Sequence, residues 1–401
     1  MVRALRHRNY RLFFCGQTIS MIGTWMQDVA LIWLIYRLSG SAFLLGTVFF
    51  CKQIPNFILG PLSGLVADRY NRRRIIIAMQ TFAMVQAVLL AVLVLTDSIQ
   101  IWHILVLSVL LGITSTFDLT ARQAFIIDMV ETQEDLNNAI ALNSIVFNTA
   151  RLIGPSIAAA LLVLVGEGIC FLLNAVSFIG VIAALWAMRL PPQANYSISK
   201  SVLCEIREGY KYAYHFPPIR YILLLISLVS LMALPYTVIL IPVFSTEVFA
   251  GGPQTLGFLM AATGLGAICG AAMLAARSSA AGLEKVIPLA TAVLGIALVV
   301  FSQVRLIGLA VVILFFAGLG MIIQSASSNT LLQTVVDEDK RGRIMGLYSM
   351  ANSGMAPFGN LLAGVLVTQM GAPVTALIGG ISCLTGAFLF ARRLPQIRHY
   401  L

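Results

Sequence analysis

The sequence predicts an all-α membrane protein with twelve spanning helices in two six-helix bundles. Three observations predict it: overall apolarity, long continuous apolar runs, and positive charge confined to one side of those runs. Hydrophobic residues fill 59% of 401 positions and charged residues only 10%, whereas soluble domains carry about 25% charged residues. So apolar a chain cannot keep a surface wetted, and the bilayer must be the solvent for much of it.

A spanning helix needs about 20 predominantly apolar residues. In order, the runs are Leu12–Tyr36, Ala42–Val66, Ile75–Leu95, Ile101–Leu119, Ala139–Val165, Ile169–Met188, Tyr221–Val243, Thr255–Ala276, Val286–Ser302, Leu306–Ser325, Ile344–Thr368 and Ala372–Ala391. Each is bounded by charge, proline, glycine or a short polar turn. The runs are continuous rather than alternating, which excludes a barrel. The first run is too long for a cleaved signal peptide and leads straight into the second. Six scattered cysteines form no CxxC pair, so neither disulfides nor structural zinc are expected.

All but four of the 26 lysines and arginines lie before the first run, after the last, or in the loops following even-numbered runs. Arg37 and Arg305 lie on the opposite side; Lys52 and Arg151 lie within runs. The positive-inside rule therefore makes both termini cytoplasmic; the membrane expected is the inner one. The net charge of +10 is thus a topology signal. With no basic stripe interleaved with aromatics, nucleic acid is not an expected partner. Membrane lipids and a small-molecule substrate are, and a monomer is the default.

The longest polar interruption, Arg189 to Arg220, divides the runs six and six and contains an amphipathic stretch around Val202–Tyr214. The predicted organisation is an N-terminal bundle over 1–190, a cytoplasmic interdomain loop over 191–218, and a C-terminal bundle over 219–401. A shift of 205 lays Leu142 on Leu347, Ser144 on Ser349, Gly154 on Gly359 and Ala158 on Ala363. A parallel repeat of this kind implies a central site and alternating access.

Charges inside spans are costly and mark function by default. In the first run Gln17, Ser20, Thr24, Gln27 and Asp28 recur at steps of three and four, which places them on one face. The second run carries Lys52, Gln53 and Asn56, and the fifth carries Arg151. At 1.5 Å rise per residue, Asp28 and Lys52 differ in depth by only ~5 Å, so an ion pair is feasible. Either Asp28 binds a proton or cation while Lys52 and Arg151 attract anions, or Asp28 and Lys52 form a static clamp. Asp118 and Arg122, one turn apart, read as a local pair. Pro55, Pro235, Pro242 and Pro357 should kink their helices. Gly60–Gly64 and Gly266–Gly270 should allow close helix approach. Trp25, Trp33, Trp102 and Trp186 read as interface anchors or packing residues.

The loop after the second run reads Gly64-Leu65-Val66-Ala67-Asp68-Arg69-Tyr70-Asn71-Arg72-Arg73-Arg74. It resembles the major facilitator signature G-x-x-x-D-R-x-G-R-R. Asn71 replaces its second glycine, and asparagine tolerates a left-handed turn. The resemblance implies that Asp68 and the arginines Arg69, Arg72, Arg73 and Arg74 latch the two halves on the cytoplasmic side. Ala150–Ala159, with Gly154-Pro155 at its centre, resembles the antiporter signature G-x-x-x-G-P-x-x-G-G, with alanine at three of the plain glycine positions. The fourth-run signature R-x-x-Q-G is absent; Ser108 stands where its arginine would precede Gly112. More narrowly, Arg8–Phe13, Gly23–Gln27, Ala121–Phe125 and Phe147–Pro155 resemble the enterobactin-exporter branch, the transmembrane secretion effectors that include macrolide efflux pumps. The resemblance implies the major facilitator fold, no cofactor, and export of a siderophore or another amphiphilic small molecule driven by proton influx.

Within transport, the alternatives are a lipid or lysophospholipid carrier and an importer of a polar metabolite. Outside it stand a non-transporting receptor and a membrane enzyme. The sequence shows no large sensor domain and no Walker lysine motif, and its four histidines, His7, His103, His215 and His399, lie far apart.

Overall fold

The computed structural model describes residues 3–129, 133–188, 212, 214–277, 282–337 and 340–398; the predicted amphipathic stretch falls almost wholly outside these. Among the described residues the chain is helical with no strand. Eleven helical stretches among the described residues are long and apolar enough to cross a bilayer.

The first six spans are α1 (Arg8–Ser39), α2 (Ala42–Arg69), α3 (Arg72–Leu95), α4 (Ile101–Phe125), α5 (Gln133–Leu164) and α6 (Gly166–Ala187). The seventh begins as α7 (Pro217–Met232) and continues through a 3-10 turn at Leu234–Tyr236, a helical turn at Leu240–Val243 and a π turn at Phe244–Val248. Then follow α8 (Pro253–Ala275), α9 (Leu283–Phe301), α10 (Ile307–Val335), α11 (Arg341–Ser349), α12 (Ala356–Met370) and α13 (Ala372–Arg392). The eleventh predicted span is therefore two helices, joined by a π turn at Met350–Gly354. Small residues and Pro357 weaken the helix there, and the Ser230 hydroxyl donates to the Asn352 carbonyl at 2.6 Å.

Helix boundaries follow local chemistry that hydropathy does not register. Gly40 ends α1 with φ 58° and returns its N–H to the Tyr36 carbonyl, the glycine C-cap. α4 and α10 run past their apolar stretches to Phe125 and Val335, because backbone hydrogen bonding and helix propensity continue where the apolar stripe stops. Among the prolines, Pro235 lies in the 3-10 break and Pro357 in the first turn of α12. α2, by contrast, stays one hydrogen-bonded helix through Pro55.

The chain packs as two compact units, one of Met1–Gly40 with Cys51–Ile198, the other of Ser41–Phe50 with Ser199–Leu401. In the first, α1 packs on α5 and α6, and α3 on α4 and α6. In the second, α7 packs on α12 and α13, and α9 on α10 and α13. These pairings are equivalent under the 205-residue repeat, and two pairs of glycines show it at atomic scale. Gly166 and Gly371 turn the chain between their helices with φ 80° and 83°. Gly154 seats α5 against Trp25 and the Ile22 carbonyl of α1, and Gly359 seats α12 against the Ser230 and Leu231 carbonyls of α7.

Gly266 and Gly270 pack as expected, against the Phe315 and Leu319 carbonyls of α10. Gly60 and Gly64 do not: a Cβ at either would meet no atom within 4 Å. At that end α2 joins α4 through Ser63, whose hydroxyl lies 2.8 Å from that of Thr120, so the contact face is a residue away from the glycines.

Outside the spans, Tyr212 donates to Asp337 Oδ2 at 3.1 Å and Lys340 donates to the same oxygen at 2.9 Å. The Lys340 ammonium, helped by the Tyr212 hydroxyl, holds the Asp337 carboxyl below its ordinary value. A depressed carboxyl contributes stability above its unfolded value and loses it as pH falls through the folded one. Lys340→Met should raise the Asp337 midpoint back toward the ordinary carboxylate range, read by carboxyl-carbon NMR with Asp337→Asn as the assignment control.

Candidate functional site

The charges that the sequence places inside spans meet within the first unit. Lys52 Nζ of α2 donates to Asp28 Oδ1 of α1. Lys52 keeps 14% side-chain exposure and Asp28 24%, so the pair is sheltered yet reachable. The turn carrying Lys52 is fixed from behind, where Gly112 of α4 lies against the Lys52 carbonyl and Pro55. Any side chain at Gly112 would push α2 away at its charged turn.

Arg151 of α5 is half-buried, with its guanidinium 5.9 Å from the Trp25 ring centre. Trp25 meets Phe147 edge-on at 5.7 Å. It precedes Asp28 by three residues, so the two are neighbours on α1. Arg151, Trp25, Asp28 and Lys52 thus form one strip across α5, α1 and α2. Trp25 was expected at a membrane interface or in packing; the aromatic packing holds, and Arg151 above its ring joins it to the charged strip. Its i−3 relation to Asp28 was the available signal. Trp102 and Trp186 are exposed near helix ends, as interface anchors are. Pro155, one turn beyond Arg151, cannot donate to the Arg151 carbonyl.

The other polar residues of α1 divide by direction. Gln27, only 2% exposed, donates to Gln86 Oε1 at 3.2 Å and accepts from Asn174 Nδ2 at 2.7 Å. It is the centre of a polar spine joining α1, α3 and α6, with no face open to a ligand. Gln17 is 3% exposed, with its carbonyl oxygen unpartnered. Thr24 is half-buried and bonds the Ser20 carbonyl of its own helix at 2.9 Å. On α2, Gln53 is half-buried and Asn56 exposed, Asn56 lying one turn from Lys52. The Asp118–Arg122 pair forms as expected, and Gln80 of α3 also donates to Asp118 at 2.9 Å.

The signature loop is built differently from its resemblance. Asn71 has φ −61° and ψ 111°, not a left-handed turn. Its Oδ1 accepts the Arg74 N–H at 3.1 Å, so asparagine serves there as the N-cap of α3. Arg72 is buried and bonds the Ala67 and Ala124 carbonyls and Asp128 Oδ1, the last at 3.0 Å. Arg73 donates to the Trp186 carbonyl at 2.9 Å. Both act within the first unit, while Arg69 and Arg74 are exposed. Asp68 lies in the last turn of α2, and its side chain is outside the described residues. In the second unit no predicted span contains a charged residue. Within those spans Tyr348 and Ser325 make a neutral polar contact at 3.1 Å.

A family profile described as transmembrane secretion effector matches residues 2–399. The staphyloferrin A transporter of Staphylococcus aureus is 26% identical over 97% of each chain. The multidrug efflux pump Tap of Mycolicibacterium fortuitum is 24% identical over 88% of each, and macrolide efflux protein A of Streptococcus pyogenes 22% over 94% of each. Among solved structures, a bacterial homologue of the iron transporter ferroportin aligns with TM-score 0.73 at 16% identity, covering 96% of this chain and 98% of that one. A POT family transporter in complex with 5-aminolevulinic acid aligns with TM-score 0.76 at 11% identity, over 97% and 96%.

Proposed function

The chain belongs to the transmembrane secretion effector family of major facilitator transporters, and on that premise we propose that it exports a siderophore or similar amphiphilic small molecule by proton antiport. It is a multi-pass membrane transporter and not an enzyme; substrate class and coupling are the proposal. The relatives named for staphyloferrin A, macrolides and multiple drugs support the substrate class.

The observation that carries the coupling is the Asp28–Lys52 pair between α1 and α2. Lys52 and Arg151 attract the anionic or electron-rich part of a substrate resting on Trp25, while the Asp28 carboxylate accepts from one of its donor groups. A proton on Asp28 removes that acceptor and expels the substrate; loss of the proton restores it. Proton and substrate thus compete for Asp28, which is the requirement for antiport. Thr24, Gln53 and Asn56 border this strip; Gln17 and Gln27 support it from within, and Gly154-Pro155 sets the approach of α5 to α1.

Asp68 with Arg69 and Arg74 completes the proposal as the part of the signature loop that makes and breaks during alternating access. Arg72 and Arg73 hold the loop's frame. The N-terminal bundle over 1–190 and the C-terminal bundle over 219–401 are the moving bodies, joined by the cytoplasmic loop over 191–218. The positive-inside rule supports an inner-membrane location with both termini cytoplasmic. The transporter works as a monomer, needs no cofactor and does not bind nucleic acid.

The test is transport into proteoliposomes of staphyloferrin A and of a macrolide, with and without a pH gradient. Accumulation of either compound only with the gradient, against the direction of proton flow, is expected. Equal accumulation without it would refute antiport.

A further inference from the structure

A groove marks the flank of the C-terminal unit. It has a volume of about 510 Å³ and runs between α7 and α13, floored and walled by Leu224, Leu225, Leu228, Leu389 and Phe390. Gly386 gives it depth: a Cβ there would stand 2.6 Å from Leu228. Leu224 and Leu389 are 60% and 55% exposed, so the groove opens sideways onto the surface that faces lipid. Its end toward the C-terminus of α13 is edged by Tyr221, Arg392 and Arg393.

The polar rim is cationic. Arg220 lies 5.0 Å from the Tyr221 ring centre and donates to its hydroxyl at 3.2 Å. Arg393 faces the same ring from 5.7 Å and reaches Gln396 at 3.4 Å. Arg392 lies over Phe388 at 5.8 Å. None of the three has a carboxylate partner among the described residues. Three arginines held by aromatic rings rather than by acids keep their hydrogen-bond donors available for an outside anion. An arginine fork matches phosphate geometry.

We propose that this groove binds one anionic phospholipid, its phosphate held by Arg220, Arg392 and Arg393 and one acyl chain laid along Leu224, Leu225, Leu228 and Leu389. A free anion would use the rim but gain nothing from the leucines. A zwitterionic lipid would use the leucines but give the three cations no net charge to neutralise. The lipid bridges α7 to α13. That the leaflet is the cytoplasmic one rests on the topology proposed above; binding itself does not.

The experiment is lipid retention by the purified full chain, read by native mass spectrometry from nanodiscs of equal phosphatidylglycerol and phosphatidylcholine. Nanodiscs have no sidedness, so an error in topology leaves the outcome unchanged. Wild-type protein should retain phosphatidylglycerol selectively. R220Q/R392Q/R393Q should weaken retention by roughly fivefold per arginine removed. R277Q/K285Q/R343Q, which removes the same charge elsewhere, should not. L224S/L389S, which alters only exposed side chains, should weaken retention with the rim intact. Equal loss in both charge variants would mean general electrostatic attraction and overturn the site. Displacement of the lipid by millimolar inorganic phosphate, or full retention in L224S/L389S, would leave an anion site only and overturn the lipid assignment.

Discussion

Asp28→Asn is expected to abolish accumulation driven by a proton gradient while substrate exchange across the membrane continues. Asparagine keeps the shape and can still accept a hydrogen bond from Lys52, but it cannot carry the coupling proton. The structural cost is bounded. Removing one member of a fully buried pair costs roughly 3–5 kcal/mol, and the 24% exposure of Asp28 and 14% of Lys52 reduce that. The double variant Asp28→Asn/Lys52→Gln separates coupling from clamping. With both charges gone no lone ammonium remains in the span, so folding recovers whether or not the pair had a second role. If gradient-driven accumulation returns with it, the pair is a clamp and Asp28 is not the coupling acid.

Arg72→Ala is expected to be the most damaging change to the signature loop, acting on stability rather than on turnover. The buried guanidinium ties the end of α2 to the end of α4 through two carbonyls and Asp128. Its loss strands those acceptors and leaves Asp128 unpaired. The cost should fall toward the lower end of roughly 3–5 kcal/mol, because Asp128 is 30% exposed. Thermal unfolding in detergent would show a clear drop in Tm and a lower yield. Arg74→Ala, at an exposed position, should stay within about 0.5 kcal/mol of wild type and affect only turnover. The reverse ranking would mean that Arg72 is no frame residue.

The contrast between these arginines marks where sequence reading reaches its limit. Spans, repeat and charge bias are written in composition, and a bilayer enforces them residue by residue, so they were legible. The repeat was legible even in Gly154 and Gly359, whose equivalent packing the structure shows on α1 and α7. Direction was not legible. Gln27 and Asp28 are adjacent in the chain, yet one is sealed into a spine with Gln86 and Asn174 while the other meets Lys52. A rotation of 100° about α1 decides between them, and only its neighbours fix that angle. The π turn at Met350–Gly354 escaped for a related reason. Its stability depends on a hydroxyl from Ser230, a residue over a hundred positions away. Asn71 shows the converse, a substitution whose chemistry as a helix cap was plain once the start of α3 was known.

The most direct test of the account is the internal pH of proteoliposomes loaded with the transported compound, followed with an entrapped dye after dilution into compound-free buffer of equal pH. Efflux through the wild-type protein should draw protons inward and acidify the interior, and Asp28→Asn should release the compound with no change in pH. Efflux by the wild type at steady internal pH, or acidification that persists in Asp28→Asn, would contradict it.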